Sequence, residues 1–123
     1  MMKLSRLLDR RIERKLSRWV REKRFREVGC GLEELASEFH VTPASISRFV
    51  IGKYGCSFAR WRTSLRIAEA RSLLVTMPSE PFCRIGEMVG IPDKSNFRKL
   101  FLAELGMTPR EWRERSAQFG ISE

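Results

Sequence analysis

Two clusters of side chains in this chain have the types and spacing that grip or read a polyanion. The first is Thr42-Pro43-Ala44-Ser45-Ile46-Ser47-Arg48, and the second is Asp93-Lys94-Ser95-Asn96-Phe97-Arg98-Lys99. On helices, the outward positions are Ala44, Ser45, Ser47 and Arg48 in the first cluster and Lys94, Ser95, Asn96, Arg98 and Lys99 in the second. Their chemistry suits base edges in a major groove. Arginine brackets guanine, asparagine pairs with adenine, alanine touches a thymine methyl, and serine bonds to base edges or phosphate. Arg98 and Lys99 suit guanine or phosphate alike. Thr42, Lys53, Arg62, Thr108 and Arg110 are the expected phosphate contacts. Thr42 and Thr108 sit at helix starts, where backbone N–H groups and the dipole attract anions.

Other chemistries find little support. The chain has one histidine, His40, and three scattered cysteines, Cys30, Cys56 and Cys83, without Cys-x-x-Cys or His-x-x-x-His spacing. That is not a metal-ligand pattern. Gly29-x-Gly31-x-x-Glu34 lacks the third glycine of a dinucleotide loop and follows no strand. No general base is expected near a cysteine or serine, since His40 falls in a turn. The expectation is no enzyme, no catalytic residue, no metal and no cofactor.

The two clusters recur because the chain says one thing twice. Gly55-Cys56-Ser57-Phe58-Ala59-Arg60-Trp61 returns 51 residues later as Gly106-Met107-Thr108-Pro109-Arg110-Glu111-Trp112. A repeat of this size in a 123-residue chain marks two copies of one small unit. The formal net charge of +9 favours a polyanion partner, nucleic acid before acidic membrane. Residues 1–27 hold eleven Lys/Arg against four Asp/Glu, so the repeat region is nearly neutral and its basic residues are positioned rather than abundant. The three cysteines fit a reducing cytosol. No segment approaches the roughly 20 apolar residues of a membrane span, and the charged N-terminus is not a secretory signal.

Helical periodicity places the clusters. Leu4, Leu8, Ile12, Leu16, Trp19 and Val20 recur at three- and four-residue steps, predicting an amphipathic helix to about Arg24, broken by Gly29 and Gly31. Leu32, Leu35, Ala36 and Phe39 form one face of a short helix, with Glu33 and Glu34 in its first turn. Thr42 caps the next helix, with Pro43 at its first position and Ile46, Phe49 and Val50 inward, and Gly55 ends it. Ser57 caps a long helix to about Thr76, whose apolar face is Phe58, Trp61, Leu65, Ala68 and Leu73/Leu74. The second copy follows: Ile85, Met88 and Val89, a Gly90-Ile91-Pro92 turn, then Phe97, Leu100, Phe101 and Leu105 inward. Thr108 caps a last helix carrying Trp112. Trp61 and Trp112 read as core pins at equivalent inward sites. The expected class is all-α: two helix-turn-helix subdomains joined by a long linker helix, about seven helices in all. The boundaries are 1–28 for the basic helix, 29–56 for the first helix-turn-helix, 57–77 for the linker helix and 78–118 for the second helix-turn-helix with the final helix.

These residues resemble the DNA-binding domain of AraC/XylS-type transcription regulators. The matching pieces are Leu32-Glu33-Glu34-Leu35-Ala36, residues 65–74 (LRIAEARSLL), Ile85-Gly86-Glu87-Met88-Val89-Gly90, Ser95-Asn96-Phe97-Arg98-Lys99-Leu100-Phe101, and Gly106 to Trp112. The chain departs from the family pattern at Val50 and Ile91, where Phe is frequent. Further departures are Ile51 and Leu102, where Lys is usual, and His40, where Gly is common. The resemblance implies two helix-turn-helix subdomains bridged by a long helix, promoter binding, and commonly recruitment of RNA polymerase. It points to the same two clusters as the readers.

The resulting expectation is a cytoplasmic, nucleoid-associated regulator of promoter DNA, an activator, acting as a monomer without a membrane partner. Two major grooves on one face of a duplex lie ~34 Å apart. A linker helix of about 19 residues is ~28 Å long, compatible with spanning successive grooves and bending the DNA. The outer residues differ between copies, so the site would be asymmetric. A second expectation is a helical protein-interaction module docking through the basic N-terminal helix, with Met1–Leu8 as docking segment or linker tail. Within the first reading, the chain is either a complete small regulator or the output end of a larger sensor protein.

Overall fold

Local capping residues and glycines in the sequence set the bounds of several helices, Pro43–Tyr54 and Lys94–Leu105 among them. The computed structural model describes the backbone of residues 2–119 and the side chains of residues 5–118. The order is α1 (Met2–Arg21), a 3-10 turn (Arg24–Arg26), α2 (Leu32–Phe39), α3 (Pro43–Tyr54), α4 (Phe58–Thr76), α5 (Phe82–Met88), α6 (Lys94–Leu105) and α7 (Pro109–Phe119). No strand occurs among the described residues. The chain divides into two compact units, Met1–Arg62 and Thr63–Glu123, so α4 contributes its first turn to one and the rest to the other.

In the first unit, Ile12, Leu16 and Trp19 of α1 are buried with Leu35, Ala36, Phe39, Ile46, Val50, Phe58 and Trp61. The Leu4 side chain, part of the expected apolar stripe, lies outside the described residues, as does Met1. Aromatic rings carry much of this core. Trp61 stacks on Trp19, with ring centroids 5.8 Å apart, and on Tyr54, at 4.9 Å. Such pairs contribute about 0.5–1.5 kcal/mol each beyond their buried area.

Helix α1 stops three residues short of the expected Arg24. The amide of Lys23 turns back to the carbonyl of Val20, and Lys23 adopts a left-handed conformation with φ 56°. The reversal buries Phe25 against Trp19, ring centroids 6.2 Å apart. A lone aromatic beyond the periodic stripe gave no warning of this, because its partner lies on the helix it terminates.

In the second unit, Ile67, Ala70, Leu74, Ile85, Val89, Ile91, Phe97 and Phe101 form the core, with Leu73, Leu100, Leu105 and Trp112 packed against it. The apolar face expected for α4 is corrected here. Ala68 is exposed, and Ile67 and Ala70 are the buried residues. The part of α4 that serves the second unit follows a buried stripe of its own, Ile67, Ala70 and Leu74.

The helix-turn-helix turns match closely. His40 is left-handed with φ 59° and Gly90 with φ 94°. The amide of Val41 donates to the carbonyl of Ala36 at 3.0 Å, and that of Ile91 to Gly86 at 2.8 Å. The copies are therefore 50 residues apart before the turn and 51 after it, with Pro92 as the additional residue. Gly86 is required where it stands. A Cβ there would lie 2.8 Å from the Ile91 carbonyl oxygen and 3.0 Å from the Phe97 ring.

Candidate nucleic-acid interface

Helices α3 and α6 are in register. Each has twelve residues, each begins behind a side-chain cap and each ends at a glycine with φ 75°. The Thr42 hydroxyl accepts from the Ser45 amide at 3.2 Å, and the Asp93 carboxylate accepts from the Asn96 amide at 2.7 Å. These caps satisfy first-turn N–H groups that would otherwise lack partners. They also fix which side chains face outward.

On α3, Ala44 and Arg48 are exposed and Ser47 is half-buried. Ser45 is a correction: it is buried, and its hydroxyl shares a 2.9 Å hydrogen bond with that of Thr42. It completes the cap and faces inward, so it does not belong with the base readers. On α6, Lys94, Ser95, Asn96, Arg98 and Lys99 are all exposed. The second surface is thus richer in cations than the first.

The expected phosphate contacts divide. Thr42 and Arg110 are exposed, and Thr108 is half-buried. Thr108 and Glu111 form a reciprocal cap: the Thr108 amide donates to Glu111 Oε1 at 2.8 Å, and the Glu111 amide donates to Thr108 Oγ1 at 3.1 Å. Hydrogen bonding from Thr108, aided by the nearby Arg98 charge, holds the Glu111 carboxyl below the usual carboxylate range. Lys53 is exposed but ion-paired with Glu13 of α1, which raises its pKa.

Arg62 is the second correction. Its guanidinium is buried, and it donates to the carbonyls of Phe25, Glu27 and Cys30, with Nε to Phe25 O at 3.1 Å. Burial pulls its pKa down from the usual arginine value. With its donors committed to backbone, it is a strut for the turn ahead of α2 and is not available to phosphate. The sequence signal was present: Arg62 and Arg113 follow the two tryptophans at the same offset.

One hollow in the second unit gathers four of the expected residues. Lys94, Arg98, Thr108 and Arg110 line it together with Phe82 and Cys83. Arg110 lies over the Phe82 ring, 5.4 Å from its centroid. This brings two base-reading candidates and two phosphate candidates of that unit to one place.

The outer faces also carry apolar side chains that were not among the candidates. Ile51 is 54% exposed and Leu102 41% exposed, at the same register of α3 and α6. Their signal was the departure from lysine. Among the described residues, no group of His, Cys, Asp and Glu is placed to hold a metal, and no helix is long and apolar enough to cross a membrane.

Comparison with known proteins agrees with this geometry. The family model described as "Helix-turn-helix domain" matches residues 35–115. The RCS-specific HTH-type transcriptional activator RclR of Escherichia coli is 34% identical over 87 residues, 71% of this chain and 30% of that protein. The arabinose operon regulatory protein of Salmonella typhimurium is 29% identical over 67% of this chain and 29% of its own length. The chain thus spans about a third of the length of these relatives. Among solved structures, the C-terminal domain of AraT, a response regulator from Geobacillus stearothermophilus, superposes with a TM-score of 0.75 at 26% identity, covering 85% of this chain and 84% of that one. The DNA-binding domain of AdpA, solved with a target DNA, shares the fold at a TM-score of 0.73 and 17% identity, covering 88% and 94%. The motifs, the paired helix-turn-helix units and the family match together show that this chain belongs to the AraC/XylS-type helix-turn-helix family of transcription regulators.

Proposed function

We propose that the chain is a sequence-specific binder of double-stranded promoter DNA and regulates transcription, with α3 and α6 each entering a major groove. The observation that carries this is the matched register of the two helices combined with different outer residues. Each helix starts behind a side-chain cap and ends at a left-handed glycine, while the side chains they expose differ. A device with one scaffold and two texts suits a ligand with a repeating shape and a variable sequence.

The base readers in this proposal are Ala44, Ser47 and Arg48 of α3 and Lys94, Ser95, Asn96, Arg98 and Lys99 of α6. Phosphate is gripped by Thr42, Thr108 and Arg110, with Lys53 contributing once it exchanges Glu13 for phosphate. Because the two surfaces differ, the site is asymmetric, and a monomer suffices to read it. Activation through RNA polymerase, in the cytoplasm at the nucleoid, is the proposed mode of action. The relative RclR, described as an activator, supports it.

The test is selection of bound duplexes from a random pool, followed by footprinting. Two unlike protected blocks, centred about one helical turn of DNA apart, are expected. Equal affinity for all sequences at physiological salt would overturn the proposal in favour of a protein-docking role.

A further inference from the structure

Most arginines of α1 have no work within the described fold. Of the basic residues on this helix, Arg11 donates to the Phe39 carbonyl at 3.0 Å, Lys15 lies over the Phe39 ring, and Arg18 pairs with Glu22 at 3.0 Å. Arg6, Arg10, Arg14 and Arg21 are exposed and, among the described residues, have no hydrogen-bond or ion-pair partner. Successive residues turn by ~100° about a helix axis, so Arg6, Arg10 and Arg14 make one stripe, continued by Arg21 two turns on. That stripe lies opposite the buried line of Ile12, Leu16 and Trp19.

The acidic residues of α1 do not neutralise it. Glu13 is taken by Lys53 and Glu22 by Arg18. Asp9 faces a hollow that Ser5 and Asp9 share with Arg48, Phe49, Gly52 and Lys53 of α3. The same hollow places the first turns of α1 alongside the reading helix, with Arg6 and Arg10 each one residue beyond its α1 lining. The family match begins at residue 35, so this surface lies outside it.

We infer that the Arg6–Arg10–Arg14 stripe is a second, sequence-independent DNA-binding surface, which grips the phosphate strand bordering the groove read by α3. The inference rests on the proposed DNA-binding function. It adds cationic grip to a first unit whose reading helix carries Arg48 as its one unpaired cation among the described residues, Lys53 being paired with Glu13. The α6 surface needs no such help, since Lys94, Arg98 and Lys99 lie on it. Guanidinium groups suit this role because they bond phosphate through a planar fork and stay charged.

The test is the triple variant Arg6→Gln/Arg10→Gln/Arg14→Gln of the whole chain, with folding checked by circular dichroism and thermal melting. Binding is measured over a salt series to the selected duplex and to a scrambled one. Each phosphate that is no longer neutralised lowers the slope of log affinity against log salt by roughly 0.9, so a fall of about 2–3 is expected. Affinity should drop about equally for both duplexes, leaving the sequence preference intact. The footprint should also shrink on the side of the first unit.

A folded variant with unchanged slope and affinity overturns the inference while leaving the DNA-binding reading in place. So does a variant that binds DNA normally but loses transcriptional output, which would assign the stripe to a protein partner. If the unaltered chain itself shows no sequence-preferring binding, the underlying reading fails first.

Discussion

Arg62 and Arg113 occupy the same position of the repeat, 51 residues apart, and each donates into backbone carbonyls of its own unit. Arg62 holds Phe25, Glu27 and Cys30, while Arg113 holds Leu74 at 3.0 Å and Met77 at 3.1 Å. Burial lowers the pKa of both below the usual arginine value, and both stay charged at any ordinary pH. In each case the guanidinium ties down the segment that leads into the helix pair.

Removing that strut should cost stability rather than DNA charge contacts. Arg62→Ala leaves the Phe25, Glu27 and Cys30 carbonyls without this donor, the first of them buried and the other two part-buried, and is expected to lower the unfolding free energy by about 2–4 kcal/mol. Arg62→Lys should recover little of it, because an ammonium cannot reproduce the fork. Urea melts measure the loss, and a salt series on the folded fraction measures the binding slope. A stable Arg62→Ala protein whose slope falls by about one would return Arg62 to the phosphate contacts.

Two helical glycines, Gly86 buried in α5 and Gly52 exposed on α3, should respond in opposite directions. Gly86→Ala pushes a methyl to within 2.8 Å of a backbone oxygen and is expected to destabilise by about 1–3 kcal/mol. Gly52→Ala meets no atom within 4 Å and should stabilise α3 by about 0.5–1 kcal/mol. Thermal melts of the two single variants compare them directly. Equal shifts would contradict the packing described around Gly86.

The Thr108–Glu111 cap makes an acid-side prediction. The folded Glu111 pKa lies below its ordinary value of 4.5, chiefly through the Thr108 amide. The unfolded chain therefore binds the proton first as pH falls. The stabilisation is complete above pH 4.5 and is lost as pH drops through the folded value. The Tm gap between the unaltered chain and Glu111→Gln should be widest near neutral pH and close in acid. A gap that stayed constant across that range would mean the charge of Glu111 does not contribute.

Base reading by Arg48 and Arg98 predicts selective losses. Arg48→Ala and Arg98→Ala should each relax preference at one base position, by about 1–3 kcal/mol of discrimination, and leave the other positions unchanged. Binding to a panel of single-base operator variants resolves this. A uniform loss across the panel would assign that arginine to phosphate.

The all-α class, the duplication and the helix starts were legible because their causes are local. Thr42, Asp93 and Thr108 each bond an amide three residues ahead, and Gly55 and Gly106 each end a helix by their own conformation. A capping residue and its target travel together in the sequence, so reading one gives the other. The outward positions of α6 followed from the same periodicity.

What only the tertiary structure decided depends on partners far along the chain. Ser45 and Arg62 have the residue types of DNA contacts, and their burial assigns them to the interior. Phe25 ends α1 early because Trp19 is there to receive it, and Lys53 meets Glu13 from 40 residues away. Polar side chains gain their roles from whichever donor, acceptor or solvent surrounds them after folding. The sequence by itself determined two twelve-residue helices with matched starts and ends, and the packing determined which polar side chains around them stay exposed.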